Sequence, residues 1–340
     1  MRPTIPAEVL GLGHARAAAR RAHDFTAADR LKAEIEAAGY KVVDRGRDFR
    51  LLPAHPVDIV EPDGTVRYGW SGAVPSRLDE APTAEITLVL MADGDPHPVR
   101  RTLAGLREHA PAGTHVVLVT APGAELDAAL VADDLLAPIA GAVPEVVRTA
   151  QPFRPAAARN AGMRRATGRL IAWVAAGAWI NGDVVTPVVA ALADPTVAVA
   201  GAVALRGTDL RYLEPGPAGD ADAIDRTLLA FRREEIGVLG ALDEHFHTDE
   251  RLDRWWSLVL RDGPDEAWPE DPEEAAALPP WVPRRALALD LPIDGSTAVE
   301  PWLEPVDGTE SARRRKRDLY RVIDRFTGRW ELLTPRTADS

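Results

Sequence analysis

The 340-residue chain has no cysteine. This excludes a disulfide scaffold, a Cys-ligated zinc or iron–sulfur centre and a Cys nucleophile. It suits a reducing compartment, so a cytoplasmic location is expected. Lysine is almost missing: of the 40 basic residues only Lys32, Lys41 and Lys316 are not arginine. Beside so much alanine, this reads as the codon bias of a GC-rich genome and says little about phosphate recognition. Long apolar runs are absent. The longest, Leu170 to Ile180, spans 11 residues, and a membrane span needs roughly 20. The N-terminus reaches Glu8 before any apolar run develops, so neither a signal peptide nor a membrane span is expected. The common phosphate and nucleophile loops are missing as well. The turn after the first expected core strand reads Ala92-Asp93-Gly94-Asp95, not GxGxxG, and there is no GxxxxGK[ST], GxSxG or HExxH.

What is present is a globular composition. Hydrophobic residues make up 46% of the chain, and 52 acids against 40 bases give a net charge of −12. The length suits one large domain or two modest ones. The charge argues against a nucleic-acid footprint over the whole protein, though it leaves room for a local basic patch.

Four zones and a tail follow from pattern. Residues 1–53 read as two helices and a β-hairpin. Pro6 opens the first helix, which continues to about His23. Thr26 is the expected N-cap of the second, whose Ala28, Leu31, Ile35 and Ala38 share a face before Gly39 stops it. Tyr40–Asp44 and Phe49–Leu52 form the hairpin. Residues 54–83 are a turn-rich linker around Pro62-Asp63-Gly64, with room for a second small hairpin. Residues 84–263 alternate strands (Ile86–Met91, Val116–Thr120, Val143–Thr149, Leu170–Val174, Val197–Leu205) with helices (Val99–His109, Ala124–Pro138, Pro155–Thr167, Asp183–Ala193). That order predicts an α/β domain with a mainly parallel sheet covered by helices on both faces. Residues 264–312 form an acidic, Pro-rich linker or lid, with five acids in Glu266–Glu274. Residues 313–335 begin with five consecutive bases, Arg313–Arg317, and continue as a helix with Leu319, Tyr320, Ile323 and Phe326 on one face. The basic run either binds an anionic surface or pairs with the acidic run, which would fold the tail back over the acceptor side of the core.

Two blocks of the core are informative together. Arg159-Asn160 opens a helix, Ala166-Thr167-Gly168 closes it, and the strand Leu170–Val174 follows. Downstream come Leu242-Asp243-Glu244-His245-Phe246 and Leu258–Gly263. In this order and spacing, residues 84–263 resemble family 2 glycosyltransferases of the GT-A fold. The resemblance implies a nucleotide-sugar donor and an acceptor of unknown kind. It places Asp93, Thr120, Arg159, Asn160, Ala175 and Gly177 on the donor side and Asp243, Glu244 and His245 on the acceptor side. Asp249, Glu250 and Asp253 are then the candidates for the catalytic base. The departures matter as much. In the family an acidic motif ends the strand and holds Mg²⁺ or Mn²⁺ on the diphosphate; here the strand runs into Val174-Ala175-Ala176-Gly177. An alkyl group cannot ligate a hard cation. The second strand, which in the family ends in an acidic turn near the nucleoside, here ends Thr120-Ala121-Pro122-Gly123. The acids at 249–253 do not keep the usual offset. No metal is expected unless another acidic site supplies it. Loss of metal-dependent transfer is the expectation, with a non-catalytic GT-A-fold binding module as the alternative to a metal-independent enzyme.

Other acids and histidines have plain readings. Asp183 suits a helix N-cap, and His245 and His247 lie among Asp243 and Asp249 without fixed ligand spacing. Arg159 either meets a phosphate or pairs with a local acid. Finally, Ala19-Arg20, Asp24-Phe25, Ala28-Asp29, Leu31, Gly39, Val42 and Asp44 resemble the C-terminal end of cysteinyl-tRNA synthetases over about 40 residues. No HIGH or KMSKS signature accompanies them, so aminoacylation is excluded. RNA contact through Arg16, Arg20, Arg21 and Lys32 is the minor reading; a solvated basic face is the ordinary one.

Overall fold

The computed structural model describes residues 5–45, 48–132, 135–263, 283–298 and 308–333. The acidic run Glu266–Glu274 lies outside the described residues. The chain divides into two compact units, Met1–Trp70 and Ser71–Ser340.

In the first unit, α1 (Ala7–Arg21) and α2 (Phe25–Ala37) precede a ribbon of β1 (Tyr40–Arg45) and β2 (Asp48–Pro53), paired antiparallel with Tyr40 opposite Pro53. The N-cap of α2 is Asp24, whose carboxylate accepts from Ala27 N–H at 2.9 Å. Thr26, the expected cap, sits inside the helix; Asp24 gives its carboxylate to a backbone N–H of the first turn, which Thr26 cannot do from within that turn. Gly39 follows with φ +81°, a left-handed turn that glycine adopts without strain. Val9, Ile35 and Leu51 form a small core. Arg16, buried on the same side, donates to Asp44 at 2.8 Å. The turn at Pro62-Asp63-Gly64 joins a second, short hairpin, β3 (Ile59–Val60) and β4 (Val66–Tyr68).

The second unit holds the α/β core. Its strands are β5 (Ala84–Ala92), β6 (Thr114–Thr120), β7 (Glu145–Thr149), β8 (Gly168–Val174), β9 (Trp179–Ile180), β10 (Val197–Gly201), β11 (Ala204–Asp209), β12 (Tyr212–Gly216), β13 (Gly219–Ala221), β14 (Ala223–Ile224), β15 (Leu228–Arg232), β16 (Arg285–Ala288) and β17 (Ile293–Asp294). Its helices are α3 (Pro96–His109), α4 (Ala124–Val131), α5 (Pro155–Arg164), α6 (Val185–Leu192), α7 (Glu235–Leu239), α8 (Asp249–Asp262) and α9 (Gly308–Phe326). The main sheet runs β13-β16-β10-β15-β8-β5-β6-β7. Pairs β5–β6, β5–β8, β6–β7 and β10–β16 are parallel, whereas β15 runs antiparallel to both of its neighbours.

The near-continuous apolar runs of β5, β6 and β8 mark strands buried on both faces. One core joins Leu88, Leu90, Leu118, Leu170 and Ala172 of these strands to Leu103 and Leu106 of α3 and Val188 of α6. The sequence pattern locates the central strands and helices. It misses the antiparallel meander after residue 201, where short strands carry no clear period. It also overextends α4, which ends at Val131 rather than near Pro138.

Candidate functional site

The order of strands reverses at β5. From it the chain moves through β6 to β7 on one side and then returns to β8 on the other. Ligands of open α/β sheets bind outside the carboxyl ends of the strands at such a switch point. Residues from α5 and α8 converge there.

Pro155 at the start of α5 fixes the first turn, and Arg159 follows one turn on. Its side chain is only 3% exposed, beside Asp249 and Asp253 of α8, each 1% exposed. Arg159 Nη2 lies 3.0 Å from Asp249 Oδ1, and Nη1 donates to Asp253 Oδ1. The guanidinium carbon stands 4.2 Å from the centre of the Trp173 ring on β8, and that ring packs against Phe231 and Trp256. Burial disfavours the Arg159 charge, but the two carboxylates outweigh it and hold the guanidinium above its ordinary value. The Asp253 carboxyl is pushed up to about 8, chiefly by burial; Arg159 opposes the rise, and Asp249 and Asp225 add to it. Arg159 therefore meets acids, as one of its two sequence readings has it. They come from a helix far downstream (90 positions on for Asp249, 94 for Asp253) rather than from its neighbourhood.

Little space remains at this point. The cavity lined by Met91, Arg159, Trp173, Ala175, Arg226 and Asp249 measures about 10 Å³, and one water needs about 10–15 Å³. The loops beyond β5 and β6 touch: Ala121 N–H donates to Ala92 O at 3.1 Å, and a Cβ on Gly123 would lie 2.8 Å from Gly94 Cα. Thr120, expected on the donor side, is fully buried, and its hydroxyl has no hydrogen-bond partner among the described residues. Asp93 is exposed and accepts from Gly94 N–H at 2.8 Å.

The turn Ala175–Ala178 follows β8 where the resemblance places the metal-binding acids. Gly177 has φ +90°, so a side chain would be strained there in any case. Its N–H donates to Pro98 O and Thr102 Oγ1, both at 3.0 Å, and its carbonyl accepts from Thr297 Oγ1 at 2.7 Å. A Cβ on Gly177 would stand 2.5 Å from Thr297 O. The turn offers a divalent cation only alanine and glycine, and Asp249, which lines the same cavity, is engaged by Arg159. The residues present do not fit a metal–diphosphate centre. Among the described residues no three His, Asp or Glu side chains are grouped to hold a metal ion.

The residues expected on the acceptor side form a separate, well-bonded loop. Asn160 clasps it: Nδ2 donates to Leu242 O at 3.0 Å and to Glu244 Oε1 at 2.8 Å, and Oδ1 accepts from Leu242 N–H at 3.0 Å. Ser71 Oγ also donates to Glu244. Asp243 accepts from His245 N–H at 2.9 Å and from Arg321 at 2.8 Å. Burial works against its charge, yet these bonds and the His245 ring hold its carboxyl below the usual range. Glu250 lies at the surface and pairs with Arg254 at 2.9 Å. Asp183 accepts from Val185 N–H and Thr186 N–H at 2.8 and 3.0 Å, the N-terminal bonds expected of a helix cap. His247 Nδ1 is 3.1 Å from Asp318 Oδ1 on α9. The C-terminal helix thus folds back onto the loop that holds Asp243 and His247, and Arg313, Arg314 and Arg317 of the basic run share Glu310 of their own helix. In the first unit Arg16 and Arg20 both bond Asp44, Arg21 donates to Ala17 O at 3.3 Å, and Lys32 is 3.6 Å from Glu36.

A mainly parallel sheet with helices on both faces and a switch point at β5 is the architecture of the GT-A class of sugar-nucleotide folds. The comparisons agree. Residues 97–240, within the second unit, match glycosyl transferase family 2; the match stops before α8. The fold is shared with GalNAc-T7, solved with UDP, GalNAc and Mn²⁺ (TM-score 0.51, 14% identity, 73% of this chain and 50% of that one). This chain thus spans half the length of that protein. The mannosyltransferase PcManGT of Pyrobaculum calidifontis, solved with GDP-Man and Mn²⁺, aligns at a TM-score of 0.44 with 20% identity, over 75% of this chain and 68% of that one. Separately, 50 residues are 48% identical to the cysteine–tRNA ligase of Opitutus terrae, 15% of this chain and 11% of that ligase. Among the described residues no helix is long and apolar enough to cross a membrane.

Proposed function

We propose that this glycosyltransferase-like protein has exchanged metal-dependent sugar transfer for binding. Its strand-end centre is a structural ion cluster, and the GT-A sheet serves as a platform that recognises a nucleotide sugar or a glycan. The observation that carries this reading is the Arg159–Asp249–Asp253 cluster. Two acids near the position of a catalytic base are buried and spent on an arginine, while Ala175 and Gly177 stand where the metal ligands would be. We place the protein in the cytoplasm, a setting that suits a chain without cysteine.

A second reading is metal-independent transfer. It is favoured by the Asp253 carboxyl, lifted to about 8, since a base or acid titrating near neutral pH suits proton transfer. In it Arg159 neutralises the donor diphosphate in place of a metal, and Asp249, Glu250 or Asp253 takes the acceptor proton. Calorimetric titration of UDP- and GDP-sugars with and without Mn²⁺, followed by assay for donor turnover, separates the two. Binding of a sugar ligand that Mn²⁺ does not strengthen, without turnover, is the expected result. Turnover without metal establishes the second reading. Mn²⁺-dependent binding overturns both.

A further inference from the structure

Away from the strand-end centre, α3 and β9 enclose a cleft of about 660 Å³. That is the size class of small-ligand pockets, roughly 300–1,000 Å³. Its composition is unusual for this acidic chain. His97, Arg101, Ala104 and Glu108 follow one another at helical spacing along α3, with Arg100 beside them, and Trp179 and Asn181 line the opposite wall.

Trp179 is 47% exposed, a large ring left in water. Its backbone is pinned where β9 pairs with β17, Trp179 opposite Asp294. The floor is equally fixed: a Cβ on Gly105 would lie 2.5 Å from Ile180 O, so α3 and β9 approach as closely as their backbones permit. The backbone that carries the ring is therefore fixed on both sides.

Arg101 completes it. Its guanidinium carbon sits 4.8 Å from the centre of the Trp179 ring. Among the described residues the Arg101 guanidinium makes no ion pair or hydrogen bond. A stacked guanidinium covers its poorly hydrated flat face while its N–H groups stay in the plane, directed outward toward a carboxylate or phosphate. Arg100 Nη1 and His97 Nδ1 lie 3.4 Å apart at the same end of the cleft, and the Glu108 carboxylate is drawn toward His109 at 3.8 Å. The arginine end thus presents positive charge next to an exposed aromatic surface.

We propose that this cleft binds an anionic saccharide, a sugar ring carrying a phosphate or a carboxylate. The ring lies on the exposed part of Trp179 and the anionic group on Arg101, with Arg100 and His97 along the rim. The choice of a sugar over another ringed anion rests on the glycosyltransferase-like reading above; the charge and the ring do not.

The test is calorimetry on the full chain with glucose 6-phosphate, a glucuronate-containing disaccharide, maltose, inorganic phosphate and AMP. One or both anionic sugars bind, and maltose and inorganic phosphate bind at least tenfold more weakly. Arg101→Ala and Trp179→Ala each lose at least tenfold, Arg101→Glu loses all measurable binding, and Trp179→Phe keeps most of it, with circular dichroism confirming the fold of each variant. Binding of one anionic sugar alone says which group the cleft takes. Equal binding of maltose or of inorganic phosphate, unchanged binding in the variants, or no binding at millimolar ligand overturns the proposal. AMP binding as tightly as the sugars overturns the saccharide class and retains only a ringed anion. UDP- or GDP-sugar binding that survives Trp179→Ala reports on the strand-end reading alone, so the two fail separately.

Discussion

Arg159 brings one positive charge to a place where two carboxyl groups are removed from water. A cluster of this kind resists removal of one member more than removal of all three, because an abandoned buried charge has no solvent to return to. Arg159→Met is therefore expected to cost about 3–5 kcal/mol; urea unfolding followed by circular dichroism gives the number. Adding Asp249→Leu and Asp253→Leu recovers much of that loss. A recovery near zero would show that the acids have another role in the fold.

Asp253 makes a sharper test. Its folded value, about 8, lies above the unfolded carboxyl near 3.9, so between the two the folded protein holds a proton that the unfolded chain releases. Stability contributed at this site falls as pH rises through that window and levels off above it. Asp253→Asn carries no such term. The melting temperature of the Asn variant minus that of the parent should climb from pH 5 to pH 8 and then stay flat.

At the scale of elements, α8 depends on a residue far along the chain. Thr248 precedes it, and its side chain makes no capping bond to the helix. The carboxylate of Asp318 on α9 instead accepts from His247 N–H at 3.0 Å, Thr248 N–H at 2.9 Å and Thr248 Oγ1 at 2.9 Å, and is fully buried. Asp318→Ala leaves these donors without a partner and should cost about 1–3 kcal/mol. Amide exchange would rise first at 247–250, the entrance to the helix that carries Asp249 and Asp253. Gly105→Ala tests the contact beneath the cleft: with Ile180 O only 2.5 Å from the new Cβ, a loss of about 1–3 kcal/mol is expected, readable by thermal melting.

The legibility of these features differs for physical reasons. Period and length gave away β5, β6, β8 and α5, since buried parallel strands and a Pro-opened helix write themselves into local sequence. Ala175 and Gly177 are set against the family's acidic motif only through the resemblance, with the strand before them giving the register. Asp318 and Thr297 could not be read at all: each meets its partner across a long separation, 70 residues in the case of Thr248, and neither sits in a pattern. Trp173 was visible only as part of an apolar run, and its role under Arg159 comes from the packing of α8.

At the scale of the whole molecule, the surplus of acid is less telling than its placement. In the second unit Asp249 and Asp253 are tied to Arg159, whereas exposed acids mainly confer solubility. The first unit has a far smaller core, built on Val9, Ile35 and Leu51, and leans on Asp44, whose carboxyl is held below the ordinary range chiefly by its hydrogen bond from Arg16. Support from a lowered acid is present at neutral pH and is lost as pH falls through the folded value. Asp44→Asn should loosen residues 7–53 in amide exchange at pH 7, with a shrinking difference from the parent toward acid, and leave the near-ultraviolet signal of Trp173 and Trp256 in place.

The reach from Asp318 back to Thr248 also sets an order of events during synthesis. A ribosome adds about 5–20 residues per second, so the 70 residues between them take several seconds to appear. During that interval α8 has emerged with the amides of His247 and Thr248 unpartnered, although Arg159, the partner of its two acids, is already present. The nascent chain therefore passes through a stage in which a chaperone, or a ligand able to satisfy those amides, has access that the mature fold withdraws.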